Sequence, residues 1–206
     1  MGLAIYIVVA VSSRFTNGEP TSFCSSITLA NNLKTFASAW KNGRPNYKSK
    51  FFYGKAPVLE VDGKQLGQSS AILRFLAEKF ALAGKDEWEK AKADEIINFQ
   101  KDANTELAPY LYTKLGDREK LRVEVLEPGV KRIFPMFEAL LKESGSDYML
   151  PSGLSMVDFQ VGNFLYTFTK LEPDTIKAYP ELVKYVERVH ALPQLQKYLK
   201  LRPQDR

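Results

Sequence analysis

A single cysteine, a single histidine and two tryptophans in 206 residues set the first limits on this chain. With Cys24 alone, no disulfide can form within it, which suits a reducing compartment. A lone cysteine is more often a small buried hydrophobe than a nucleophile. Cys24 and His190 cannot assemble a common zinc site, and no phosphate-cradling loop or Ser-His-Asp pattern stands beside them. Long runs of one charge are missing too. The 29 Lys and Arg are spread among 24 Asp and Glu, giving a net charge of +5 without the basic tract of a nucleic-acid arm. The longest apolar start, residues 3–11, is too short to span a bilayer. No Lys or Arg precedes it, as a secretory signal requires, and Tyr6 stands where a myristoylation motif needs Ser or Thr. The expectation is a cytoplasmic protein with no nucleic-acid partner, no membrane partner and no metal.

What is present is ample apolar material. Hydrophobic residues make up 45% of the chain, enough for a large core and too many for disorder. Residues 3–11 read as a buried parallel strand, since such strands are continuously apolar. Glu19-Pro20 opens an expected helix whose interior, residues 22–33, is rich in Ser, Thr and Asn and therefore weak. Residues 42–50 read as loop. Strands follow on either side of Asp62-Gly63, a dipeptide suited to a two-residue hairpin because both turn positions need positive φ. Gln68-Ser69-Ser70 then offers a cap for a helix over residues 70–80, packing through Ile72, Phe75, Leu76 and the stem of Lys79. A βαβ unit followed by a ββα unit is the order of a thioredoxin-like domain.

After a linker at residues 81–85 the apolar period changes from two to 3.6. Asp86 and Glu89 have capping-box spacing ahead of the stripe Ile96, Phe99, Ala103, Leu107, Tyr110. A second helix begins at Leu121 and Val125, with Pro128 and Pro135 expected to bend or interrupt it. Ser155 and Asp158 form another capping box, with Leu154 and Phe159 at hydrophobic-staple spacing. Helices at residues 179–191 and 193–201 complete the pattern. The expected architecture is an α/β thioredoxin-like domain over residues 1–80 and an all-α helical bundle over residues 86–206.

The stretch from Ala56 to Ile72 carries the strongest chemical signal. The start of a helix at Ser69 presents free backbone N–H groups and a partial positive charge, a seat for a small carboxylate. Pro57-Val58-Leu59 followed by Gln68-Ser69 resembles the glutathione-binding half of the glutathione transferases. Leu82-Ala83-Gly84-Lys85, Ser155-Met156-Val157-Asp158 and Tyr179-Pro180-Glu181-Leu182 are similar to linker, cap and late-helix signatures of the sigma-like, invertebrate members. The similarity is good from about Trp40 onward and poor before it.

The resemblance implies that Gln68 and Ser69 hold the γ-glutamyl carboxylate, and that Lys55, Ala56 and Pro57 form the loop aligning the peptide backbone of glutathione. It implies that Trp40 donates its indole N–H to the glycyl end and that Arg44, or alternatively Lys48, meets the glycyl carboxylate. Asn98 stands where relatives carry an Asp reaching the partner subunit's ammonium site, and Tyr53 where they insert an aromatic into that partner. The family's sulfur-activating Tyr is replaced here by Val11, followed by Ser12 and Ser13. Ser12, Ser13 and Tyr6 are therefore the alternative catalytic hydroxyls. The implied function is a homodimeric detoxification enzyme that conjugates glutathione, its co-substrate and in place of any cofactor, to small hydrophobic electrophiles. Peroxidase or prostaglandin-isomerase side activity is implied as well. The alternative is a catalytically weak or inactive relative that carries apolar ligands or serves structurally. Tyr110, Tyr112, Phe164 and Phe168 stand as either electrophile-pocket lining or core.

Overall fold

A computed structural model of the chain describes residues 26–29, 33–36, 51–54, 57–113 and 117–201. Its sheet has four strands in the order β1-β2-β3-β4: Ser26–Leu29, Leu33–Phe36, Val58–Val61 and Lys64–Gly67. Every neighbouring pair is antiparallel, with Leu29 opposite Leu33, Leu33 opposite Val61, and Val61 opposite Lys64. The helix expected over residues 22–33 is corrected by this hairpin. The same Ser, Thr and Asn content that weakens a helix leaves Ile27, Thr28 and Thr35 free to favour strand. The apolar run at residues 3–11 and Cys24 lie outside the described residues.

The β3–β4 turn forms as its sequence requires, with Asp62 at φ 48° and Gly63 at φ 77°. Helix α1, Ser69–Lys79, follows directly. It buries Ile72, Leu73, Leu76 and Ala77. The expected stripe is thus rotated: Phe75 and Lys79 face solvent, while Leu73 and Ala77 replace them in the core.

Helix α2, Glu87–Leu111, starts at Asp86, whose carboxylate accepts the Glu89 N–H at 2.9 Å. The reciprocal half of that capping box is absent, because buried Glu89 instead accepts the N–H groups of Lys85 and Ser152. Short helix α3, Arg118–Leu121, runs through a π-helical turn, Arg122–Leu126, into α4, Glu127–Ser144. Pro128 lacks the N–H that the preceding turn needs, and the wider turn beside it accommodates the loss. Pro135 sits inside α4 without ending it. Gly129 lets α4 approach α2 closely, since a Cβ there would lie 2.6 Å from Leu107 Cδ2.

Helix α5, Met156–Leu171, is the centre of the bundle and is buried on most of its surface. Phe164 and Phe168 join Phe134 and Phe137 of α4 in a chain of edge-on and tilted rings 5.1–6.0 Å apart. These two aromatics are core, not pocket lining. Three helices follow: α6 Pro173–Lys177, α7 Pro180–His190 and α8 Pro193–Leu201. One contiguous apolar cluster runs from Leu59 of the sheet through α1 and the bundle to Leu195.

Candidate functional site

The start of α1 is built differently from the starts of α2 and α5. Gln68 occupies the cap position with φ 69° and ψ 115°, and its side chain makes no capping hydrogen bond. A non-glycine residue in that region is held there by its surroundings, at a cost of about 1–3 kcal/mol. The constraint comes from both sides: Gly67 ends β4, and the Gln68 carbonyl already accepts the Ile72 N–H at 3.0 Å. Gln68 is exposed and Ser69 half-buried. The expected Gln-Ser-Ser side-chain cap is therefore corrected. No side chain of the helix consumes its first N–H groups, and no acidic residue stands in its first turn. By contrast, Asp86 caps α2 and Ser155 caps α5.

Pro57, half-buried, leads into β3 next to this helix start, because β3 and β4 are paired with Val58 opposite Gly67. The preceding turn, residues 51–54, is closed by the Gly54 N–H on the Phe51 carbonyl at 2.8 Å. Its Tyr53 ring lies over Gly67, where a Cβ would come within 3.0 Å. Phe52 is 94% exposed and meets Tyr53 edge-on at 5.0 Å. Pro57, Gln68 and Ser69 are thus gathered at one end of the β3–β4–α1 unit. Asn98 is exposed on α2, the helix that α1 joins through the Arg74–Asp94 pair at 2.6 Å. Tyr6, Ser12, Ser13, Trp40, Arg44, Lys48, Lys55 and Ala56 lie outside the described residues.

Two features escaped the sequence reading. One is Lys101, whose ammonium donates to the Ser70 hydroxyl in the first turn of α1. The signal was its position three residues after Asn98, on a neighbouring part of the same helix face. The other is a buried ionic junction. The Tyr110 hydroxyl donates to the carboxylate of Glu172, which also faces Arg118 at 3.7 Å and Arg122 at 3.1 Å. Burial and then Glu172 hold the Tyr110 hydroxyl above its ordinary pKa, so it stays a donor. Tyr110 belongs to this junction, while Tyr112 is part-exposed at the end of α2.

Asp158 is fully buried and accepts from Met149 N–H, Ser155 N–H, the Ser155 hydroxyl and the Tyr185 hydroxyl at 2.8–3.0 Å. Burial raises its carboxyl above the ordinary value and these donors oppose the rise. All its hydrogen-bonding capacity faces inward, so it is a structural cap. Among the described residues no group of His, Cys, Asp and Glu is arranged to hold a metal ion, and no helix is long and apolar enough to cross a membrane.

Comparison with known proteins gives the arrangement its relatives. The family model for the glutathione S-transferase N-terminal domain matches residues 33–78, and that for the C-terminal domain matches residues 101–202. The first 32 residues fall outside both, consistent with the weak similarity before Trp40. Glutathione S-transferase 1 of Ascaris suum is 37% identical over 163 residues, covering 77% of this chain and 79% of that protein. Among solved structures, Na-GST-3 of the hookworm Necator americanus, described as monomeric, is 38% identical with a TM-score of 0.74, covering 79% of this chain and 81% of the other. Prostaglandin synthase D of Nilaparvata lugens is 32% identical with a TM-score of 0.68, covering 78% and 81%.

Proposed function

The chain belongs to the glutathione S-transferase family, a transferase with a thioredoxin-like N-terminal domain and a helical C-terminal domain, and from that premise we propose that it joins glutathione to small apolar electrophiles at the junction of β3 and α1. The observation that carries this reading is the uncapped start of α1 at Gln68 and Ser69, beside Pro57. Its first N–H groups and the Ser69 hydroxyl suit the γ-glutamyl carboxylate, because an anion is favoured at a helix N-terminus. Gln68 adds an amide within reach of the same end. The chain at Lys55, Ala56 and Pro57 aligns the cysteinyl backbone, and Trp40 and Arg44 receive the glycyl end. Asn98 offers a neutral amide toward the ammonium in the seat of a second copy.

The chemistry is thiol activation. A free thiol has a pKa near 8.5, so only a few per cent is thiolate at neutral pH. Each unit of depression requires about 1.36 kcal/mol of preference for the anion. A single hydroxyl donated to the sulfur is strong enough to supply that, and Ser12, Ser13 and Tyr6 are the candidates. The thiol proton leaves to water, the sulfur forms a bond to the electrophilic carbon, and a halide departs with its electron pair. Isomerase activity on a prostaglandin-like substrate is a further part of the reading, supported by the likeness to prostaglandin synthase D. Peroxide reduction, a role in detoxification and a cytoplasmic location belong to it as well. So does a homodimer in which the exposed aromatics Phe52 and Tyr53 dock on the second copy.

Retention on immobilised glutathione, followed by turnover of an aryl halide, tests the proposal. Ser69→Ala removes a hydrogen bond to a charged group, and glutathione affinity is expected to fall about 10- to 100-fold. Unchanged retention by that variant would refute the seat. Retention without turnover in the unaltered protein would favour the ligand-carrying alternative.

A further inference from the structure

Helices α1 and α2 run past each other and are joined at three places one turn apart on α1. Glu78 meets Lys90 at 2.9 Å, Arg74 meets Asp94 at 2.6 Å, and Ser70 meets Lys101. The first two are ion pairs. The third is not: a full positive charge is set against a neutral hydroxyl. Among the described residues no carboxylate pairs with Lys101, and Asp94 is already held by Arg74. The sign is also unfavourable. Lys101 is half-buried beside the N-terminal turn of α1, where the helix dipole is itself positive and no acidic residue offsets it. With no carboxylate in ion-pair contact with it among the described residues, this charge is complementary to an anion placed over the same turn.

From this juxtaposition we propose that Lys101 is a specificity-determining residue of the tripeptide seat, its ammonium holding the α-carboxylate of the γ-glutamyl group. The inference rests on the reading of that seat given above. The Ser70 hydroxyl takes one of the ammonium's three donors and fixes its position, and the other two remain for the carboxylate. Asn98, one turn earlier on α2, is neutral. The seat therefore discriminates by the acid of that end and is nearly indifferent to the amine.

Calorimetry on the full chain tests this with three probes: glutathione, γ-aminobutyryl-cysteinyl-glycine, which lacks the α-carboxylate, and glutaryl-cysteinyl-glycine, which lacks the amine. The unaltered protein should lose about tenfold or more in affinity without the carboxylate, and about threefold or less without the amine. Lys101→Gln keeps a donor for Ser70 but removes the charge. It should bind glutathione about tenfold more weakly, lose most of its preference for the carboxylate, and show a flatter dependence on salt. Lys101→Arg should keep all three behaviours. If Lys101→Gln retains the unaltered ratio between glutathione and the carboxylate-free peptide, Lys101 has only a packing role and the proposal is wrong. If the unaltered protein binds no glutathione, the seat itself is refuted and the assignment of Lys101 falls with it.

Discussion

At the scale of single residues, several buried polar side chains have their hydrogen bonds met inside the fold. Ser155 and Asp158 are the clearest pair. Ser155 receives the Val157 N–H at 3.3 Å and gives its own N–H to Asp158 at 2.8 Å. Ser155→Ala removes the cap and should cost about 0.5–2 kcal/mol. Asp158→Ala should cost more, about 3–5 kcal/mol, because it strands donors from Met149, Ser155 and Tyr185 in a dry interior. Chemical denaturation of the two variants checks the order; equal losses would show that the carboxylate is not the hub. Both residues were legible from spacing alone, since a capping box is a local device. Gln68 was legible as a helix start but not as an uncapped, positive-φ residue, because that strain is imposed by the strand before it.

Among elements, legibility followed the range of the forces involved. The β3–β4 hairpin, α2, α5, α7 and α8 are set by turn chemistry, caps and period, all readable within a short window. The rotated face of α1 was not readable, since which stripe is buried depends on where the sheet and α5 lie. The strands at Ser26–Leu29 and Leu33–Phe36 override a weak helical pattern: the second pairs with β3, a partner more than twenty residues away, and the first pairs with the second. The Glu172 junction was invisible for the same reason, as it unites the end of α2, the π-helical turn and the end of α5. Glu172 is 7% exposed and serves one tyrosine and two arginines. Glu172→Gln leaves those arginines facing a neutral amide and should destabilise by about 2–3 kcal/mol. Charge removal from the exposed Lys184–Glu181 pair should cost no more than about 0.5 kcal/mol. Urea midpoints measure both, and similar losses would mean that the junction is merely a surface pair.

For the whole molecule, one apolar core joins sheet and bundle, so the start of α1 is mounted on a support that the helical part completes. Among the exposed large hydrophobics outside that core, Phe52 and Tyr53 form an edge-on pair. If it meets a second copy, sedimentation of the unaltered chain gives a dimer and Tyr53→Ala shifts it toward monomer; a monomer at every concentration would remove the dimer from the account. The proposed catalytic hydroxyls, Ser12, Ser13 and Tyr6, stand ahead of the family match at residues 33–78 and outside the described residues. The central claim lies elsewhere, in the uncapped turn of α1. A crystal structure of the chain with glutathione tests it directly. The account predicts the γ-glutamyl carboxylate over the N–H groups of Ser69 and Ser70, with the cysteinyl backbone alongside Pro57. A tripeptide bound anywhere else, or a seat filled by the protein's own side chains, would contradict it.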